Sequence, residues 1–226
     1  MTIGKSDVAK KAILGRIRSA QGHGGKFPTA DERAEIETYI RAHPRGPIPR
    51  VEDDIVVRFR ARAESMQTTT DLVDVLHEAP AAAARFLKAG GLPMTGCVWP
   101  QLAHLDWRGA GFDLAAREAV AGDLVGVTGA FAGIAETGTL MVVSGPDTPA
   151  STSLLPETHI AIVPTDRLVK HMEDAWDLAR AELGQLPRAV NFISGPSRTG
   201  DIEQVIILGA HGPYRVHLIL VGERSV

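Results

Sequence analysis

The chain has 226 residues, 44% of them apolar and 23% charged, which suits one sizeable α/β domain with an ordinary core and a small appendage. No run of about eighteen uncharged apolar residues occurs and the first residues lack a basic-then-apolar signal, so a cytoplasmic protein without a membrane span is expected. Net charge is −3, split as +5 over residues 1–62 and −8 over the remainder, with no basic motif of a nucleic-acid binder, and the lone Cys97 excludes both an internal disulfide and an iron–sulfur cluster held by this chain alone.

In chain order, apolar spacing predicts a helix over 8–20, with Ala9, Ile13, Ile17 and Ala20 on one face and Ser6 as N-cap, then a Gly/His loop at 22–26. A second helix is expected over 31–42, where Ile36, Tyr39, Ile40 and His43 share a face, and prolines 44, 47 and 49 end it in an extended linker. These form a helical N-terminal extension, 1–50, ahead of an α/β domain, 51–226. The domain opens with a helix carrying Ile55, Phe59 and Ala63. The pattern then predicts a short strand at 65–68, a helix at 70–78, and a further helix from Pro80 to about Lys88.

Beyond Gly90-Gly91, strands are predicted at 96–99, 124–128, 139–143, 160–163, 189–193, 204–208 and 216–221. Most are unbroken apolar runs, the pattern of a sheet covered on both faces. Pro164 and Thr165 mark the expected start of a helix to Leu183, with Val169, Met172, Trp176, Ala179 and Leu183 on one stripe. Strand, helix and strand through 160–193 read as a crossover joining a parallel pair. The expected fold is an α/β three-layer sandwich with a mixed, largely parallel sheet, and ligand is expected outside the carboxyl ends of its parallel strands.

Two glycine-punctuated segments at strand ends can carry chemistry. In Gly133-Ile-Ala-Glu136-Thr137-Gly138-Thr139, the Glu136 carboxylate can act as general base, nucleophile or ligand acceptor beside two hydroxyls, or can merely accept backbone hydrogen bonds in a turn. In Ser194-Gly195-Pro-Ser197-Arg198-Thr199-Gly-Asp201-Ile-Glu203, the hydroxyls and backbone N–H groups can cradle an anionic oxygen and Arg198 offers a planar fork. Asp201 and Glu203 can orient Arg198, bind a cation or cap the next element. His211, between glycine-rich turns, is either a titratable group or a bonded turn residue, and His217 inside an apolar strand reads as a core histidine. No zinc-type spacing links the eight histidines, so no metal is assigned. Cys97, in an apolar stretch, reads as a small buried hydrophobe.

These segments, with Ser153-Leu-Leu-Pro-Glu157-Thr-His159-Ile and Leu208-Gly-Ala-His211-Gly-Pro, resemble the LUD-domain family, itself similar to the sugar-phosphate isomerase and CoA transferase superfamily. That resemblance implies a CoA transferase-like fold and a subunit of an L-lactate utilization system, in which lactate is oxidised to pyruvate together with iron–sulfur partner proteins. It implies a pocket for a small anionic metabolite or a nucleotide, with Glu136 as the catalytic candidate, His211 a weaker one, and Thr137, Gly138, Thr139, Gly195, Ser197, Arg198, Thr199, Asp201 and Glu203 as ligand contacts. No cofactor is specified, and a homo-oligomer is compatible with it. A stand-alone isomerase or acyl transferase using Glu136, and a non-catalytic scaffold, are the alternative functions.

Overall fold

The structure is a computed structural model that describes residues 5–22, 28–51, 54–199, 207–209 and 211–222. The chain divides into two compact units, Met1–Ile48 and Pro49–Val226. The first holds α1 (Lys5–Ala20) and α2 (Ala30–Ala42). Helix α1 begins before Ser6, which is therefore inside the helix and not its N-cap. A capping box starts α2: Thr29 accepts from the Glu32 N–H, and the Glu32 carboxylate accepts from the Thr29 N–H. Ile13, Ile17, Ile36, Tyr39 and Ile40, of the predicted apolar stripes, are exposed.

The second unit runs α3 (Ile55–Ser65), β1 (Thr69–Val73), α4 (Ala79–Ala89), β2 (Thr95–Val98), β3 (Asp113–Ala116), β4 (Val125–Gly129), β5 (Ala132–Ile134), β6 (Thr139–Val143), β7 (Thr158–Pro164), β8 (Leu168–Val169), α5 (Met172–Leu183), β9 (Val190–Ile193), β10 (Arg198–Thr199), β11 (Ile207–Leu208) and β12 (Arg215–Val221). Six strands form an all-parallel sheet in the order β1-β12-β7-β4-β2-β3. A second, mixed sheet has the order β8-β5-β6-β9, and β10 pairs with β11 as a short ribbon.

Unbroken apolar runs at the centre of the large sheet follow from burial on both faces. In β7, Ile160 and Ile162 face one core while Ala161 and Val163 face another; in β12, Ile219 faces the first and Leu218 and Leu220 the second. The first core lies under α4, with Leu87, Trp107 and Phe112. The second is closed by α3 through Val56, Phe59 and Ala63 and by Leu140 and Val142 of the small sheet. Behind that sheet, Ala175 and Ala179 of α5 pack on Ala132, Ile134 and Met141. The architecture is thus an α/β sandwich in which the small sheet and α3 together cover one face of the parallel sheet, and α5 backs the small sheet.

Several local expectations are corrected. Residues 65–68 end a helix and begin a turn, and the segment expected as a helix at 70–78 is β1 as far as Val73, then a bend and the 3-10 turn Leu76–Glu78. Pairing with β12 overrides the local helical spacing there. Pro164 and Thr165 start only the 3-10 turn Thr165–Arg167, after which β8 intervenes before α5. The predicted parallel crossover is absent, because β9 pairs antiparallel with β6 in the small sheet while β7 takes β4 and β12 as its parallel neighbours. Of the strand expected at 204–208, residues 204–206 lie outside the described residues.

Candidate functional site

The turn between β5 and β6 holds Glu136, Thr137 and Gly138. Gly138 makes it tight: its φ of +67° is left-handed and its N–H donates to the Ile134 carbonyl at 2.9 Å. A Cβ at this position would lie 2.3 Å from the Ala63 nitrogen, so the backbone of α3 seats directly on the turn. Arg62, whose carbonyl carbon is part of that contact, is thereby brought beside it.

Glu136 is fixed from the opposite side. Its N–H donates to the Lys170 carbonyl at 3.0 Å, and its carboxylate meets His171 Nδ1 at 3.0 Å. His171 is the N-cap residue of α5, and its own N–H donates to Asp174 at 3.0 Å. The His171 and Glu136 side chains are 12% and 24% exposed, shielded from bulk water yet reachable by a small ligand. A carboxylate on one ring nitrogen fixes the imidazole tautomer and leaves the other nitrogen to exchange a proton, the arrangement general acid–base chemistry needs. Lys170 and Arg62 border the turn through their backbones, and among the described residues neither side chain makes an ion pair.

Hydroxyls tie this turn to the second glycine segment. Thr137 Oγ1 and Thr139 Oγ1 are 2.7 Å apart, and Thr139 Oγ1 lies 2.5 Å from Ser194 Oγ. The contact exists because Ile193 of β9 pairs with Leu140 of β6, so both segments leave the same end of the small sheet. Gly195 is required next: its φ is +75°, and a Cβ would lie 2.3 Å from the Met66 carbonyl oxygen. Arg198 Nη2 donates to the Met66 carbonyl at 2.8 Å and to Gln67 Oε1 at 3.1 Å, so one corner of the guanidinium caps α3 while the exposed remainder keeps donors open. The Ser197 N–H donates to the Pro213 carbonyl at 2.7 Å, and the Ser197 carbonyl accepts from the Gly209 N–H at 2.9 Å. Those backbone groups hold the loop together and are not available as an anion cradle. Thr199 pairs with Ile207. His211 is exposed and makes no side-chain hydrogen bond among the described residues; Asp201 and Glu203 lie outside them.

Met66 and Gln67 precede β1 and Pro213 precedes β12, so the Ser194–Thr199 loop lies by the amino ends of the parallel strands. The sequence places ligand outside the carboxyl ends of the parallel strands, whereas the two glycine segments lie away from that edge, because β6 and β9 run antiparallel to each other within the small sheet. His171 was missed because the expected helix ran through it from Thr165. Its position three residues before Asp174, a carboxylate able to cap its N–H, was the available signal.

Other candidates fall into the core. His217 Nδ1 is 2.8 Å from Thr69 Oγ1 and its ring stacks on Phe86 at 4.0 Å. Cys97 is fully buried; that burial, helped by Asp123, pushes its thiol up to about 12, so it is not a nucleophile at neutral pH. Among the described residues no three His, Cys, Asp or Glu side chains are grouped to hold a metal, and no helix is long and apolar enough to cross a membrane.

Comparison with known proteins sets these features in a family. The LUD domain pattern matches residues 102–221, more than half of the chain. Lactate utilization protein C of Bacillus subtilis is 41% identical over 103 residues, 44% of this chain and 43% of the relative. The protein of the same name from an Exiguobacterium species is 42% identical over 119 residues, 51% of this chain and 52% of the relative. The chain thus spans about half the length of these curated relatives. A crystal structure of a DUF162 family protein from Deinococcus radiodurans superposes with a TM-score of 0.58 at 24% identity, covering 77% of this chain and all of that one, which shows the shared fold. The matched region holds β3 through β12, and with them the Glu136 turn, His171 and the Ser194 loop, and the chain belongs to the LUD domain family.

Proposed function

We propose that this chain serves L-lactate utilization by binding a small 2-hydroxy acid anion, or its keto-acid product, at the end of the small sheet where Glu136 and His171 meet. The relatives named lactate utilization protein C support the pathway. The observation that carries the site is the 3.0 Å contact between Glu136 and His171 beside a chain of three hydroxyls. In this reading Arg62 or Lys170 balances the ligand carboxylate, and the imidazole exchanges a proton with the substrate hydroxyl. The oxidation also releases the Cα proton to solvent, and its two electrons would be accepted one at a time by iron–sulfur partner subunits, since a single cysteine cannot hold a cluster on this chain.

Calorimetric titration of the purified chain with lactate and pyruvate tests the proposal. Saturable binding is expected, weakened about tenfold or more by Arg62→Ala, the loss of about 1.4 kcal/mol from a charge-assisted contact, and weakened also by His171→Ala, which removes the imidazole that meets the substrate hydroxyl. Turnover of an acyl or phosphosugar substrate by the isolated chain, abolished by Glu136→Gln, would instead favour the transferase or isomerase reading. Binding of neither acid, with iron–sulfur partners still captured by Glu136→Gln, would favour a scaffold.

A further inference from the structure

Helices α1 and α2 are short and bury nothing, a combination that calls for a packing partner. Isolated helices of about fifteen residues or fewer are marginal in water, because nucleation is costly and stability comes from covering an amphipathic face. Helix α1 has 16 residues, with Gly15 inside it, and α2 has 13. Every residue of α1 from Asp7 to Ala20 is exposed, as is every residue of α2. The two helices do not pack along one another. Their apolar side chains are nonetheless gathered on one face of each. Ile13 and Ile17 are successive turns of the α1 stripe, with Leu14 at its margin, and they are 58%, 47% and 38% exposed. Ile36, Tyr39 and Ile40 form the α2 stripe, at 53%, 68% and 59%.

Charge distinguishes the two stripes. Helix α1 carries five basic residues and one acidic, whereas α2 carries four acidic and two basic. Lys10 and Arg16 lie about 60° to either side of Ile13 around the helix, so cations edge the α1 stripe. Glu35 and Glu37 lie about 100° to either side of Ile36, just beyond Tyr39 and Ile40, so carboxylates edge the α2 stripe. Residues at such flanking positions set which helices pair, since they meet across the interface as the apolar seam closes. Pairing like with like would oppose cation to cation or carboxylate to carboxylate. An α1 stripe laid on an α2 stripe matches the seam and the charge together. Glu37 also reaches Arg41 at 3.0 Å along α2, an exposed contact of little energy.

We propose that these helices dock a second copy of this chain, with α1 of one copy covering α2 of the other and the reverse. Such an exchange is two-fold symmetric, so each surface is answered by its complement and the assembly closes as a dimer. It forms a four-helix bundle around Ile13, Ile17, Ile36, Tyr39 and Ile40 of both chains. A second copy is the occupant that the charges select, because one chain holds both halves of the match while leaving both stripes exposed within itself.

Sedimentation velocity of the full chain across the micromolar range tests this. The mass is expected to rise with concentration from monomer to dimer, and the midpoint to move upward about tenfold or more in Ile17→Asp and in Ile40→Asp. Both side chains are exposed and outside the three cores, so the α/β domain is undisturbed by either substitution. Lys10→Glu with Arg16→Glu should weaken association, as should Glu35→Lys with Glu37→Lys, by about tenfold each. All four substitutions in one chain should recover it, which a simple loss of helix would not do. A monomer throughout the range, whether the helices pair within one chain or serve a different protein, would overturn the proposal. So would a dimer indifferent to Ile17→Asp and Ile40→Asp, or a four-residue charge exchange that fails to recover association.

Discussion

His159 and His217 are polar residues built into the parallel sheet, and their titration governs how the protein responds to acid. His159 Nε2 lies 2.7 Å from Thr128 Oγ1, and the residue is fully buried between β4 and β12. Burial pushes both histidines down to about 4; at His217 Asp71 opposes the shift and Arg85 adds to it. The folded protein therefore favours neutral imidazoles, while the unfolded chain takes up protons near 6.5. Their contribution to stability is complete above pH 6.5, declines as pH falls, and is gone below about 4. Each shift corresponds to on the order of 3 kcal/mol. Thermal melts followed by circular dichroism should show Tm dropping between pH 6.5 and 4, with a shallower slope in His217→Gln. Equal slopes in the two proteins would show that His217 does not contribute.

At the level of elements, the candidate site depends on the contact between α3 and the β5–β6 turn. A Cβ at Gly138 meets the α3 backbone at 2.3 Å, and the φ of +67° adds its own strain. Gly138→Ala is expected to cost about 3 kcal/mol, combining a backbone clash with left-handed strain. Gly91 separates the two effects, since its φ is +60° and no atom stands within 4 Å of where its Cβ would be. Gly91→Ala should cost only about 1 kcal/mol. Urea unfolding of the two variants measures the difference, and equal losses would mean that α3 yields to the added methyl without cost.

For the whole molecule, the three hydrophobic cores lie entirely between Ile55 and Val221. Among the described residues, none of α1 or α2 belongs to these cores, and α2 has no buried residue. Deletion of residues 1–48 should therefore leave the Tm of the remaining unit within about 3 °C of the full chain, the shift of ~1 kcal/mol in a domain this size. A larger fall in calorimetry would assign the helices a share of the domain's stability. It would also make the exposed stripe of Ile36, Tyr39 and Ile40 a contact in solution.

The apolar runs of β7 and β12, the prolines after α2 and the glycines at 138 and 195 were legible in the sequence because burial on two faces, a fixed φ and a left-handed φ each leave a local signature. They determined a parallel α/β sheet and located two of the segments at the candidate site. Tertiary structure alone decided that β9 joins β6 instead of β7, that Arg198 caps α3, and that His171 reaches Glu136 across 35 positions of sequence. Those outcomes depend on which strand edges meet and where a helix begins, and residues distant in the chain acquire their partners only when the small sheet docks on the large one.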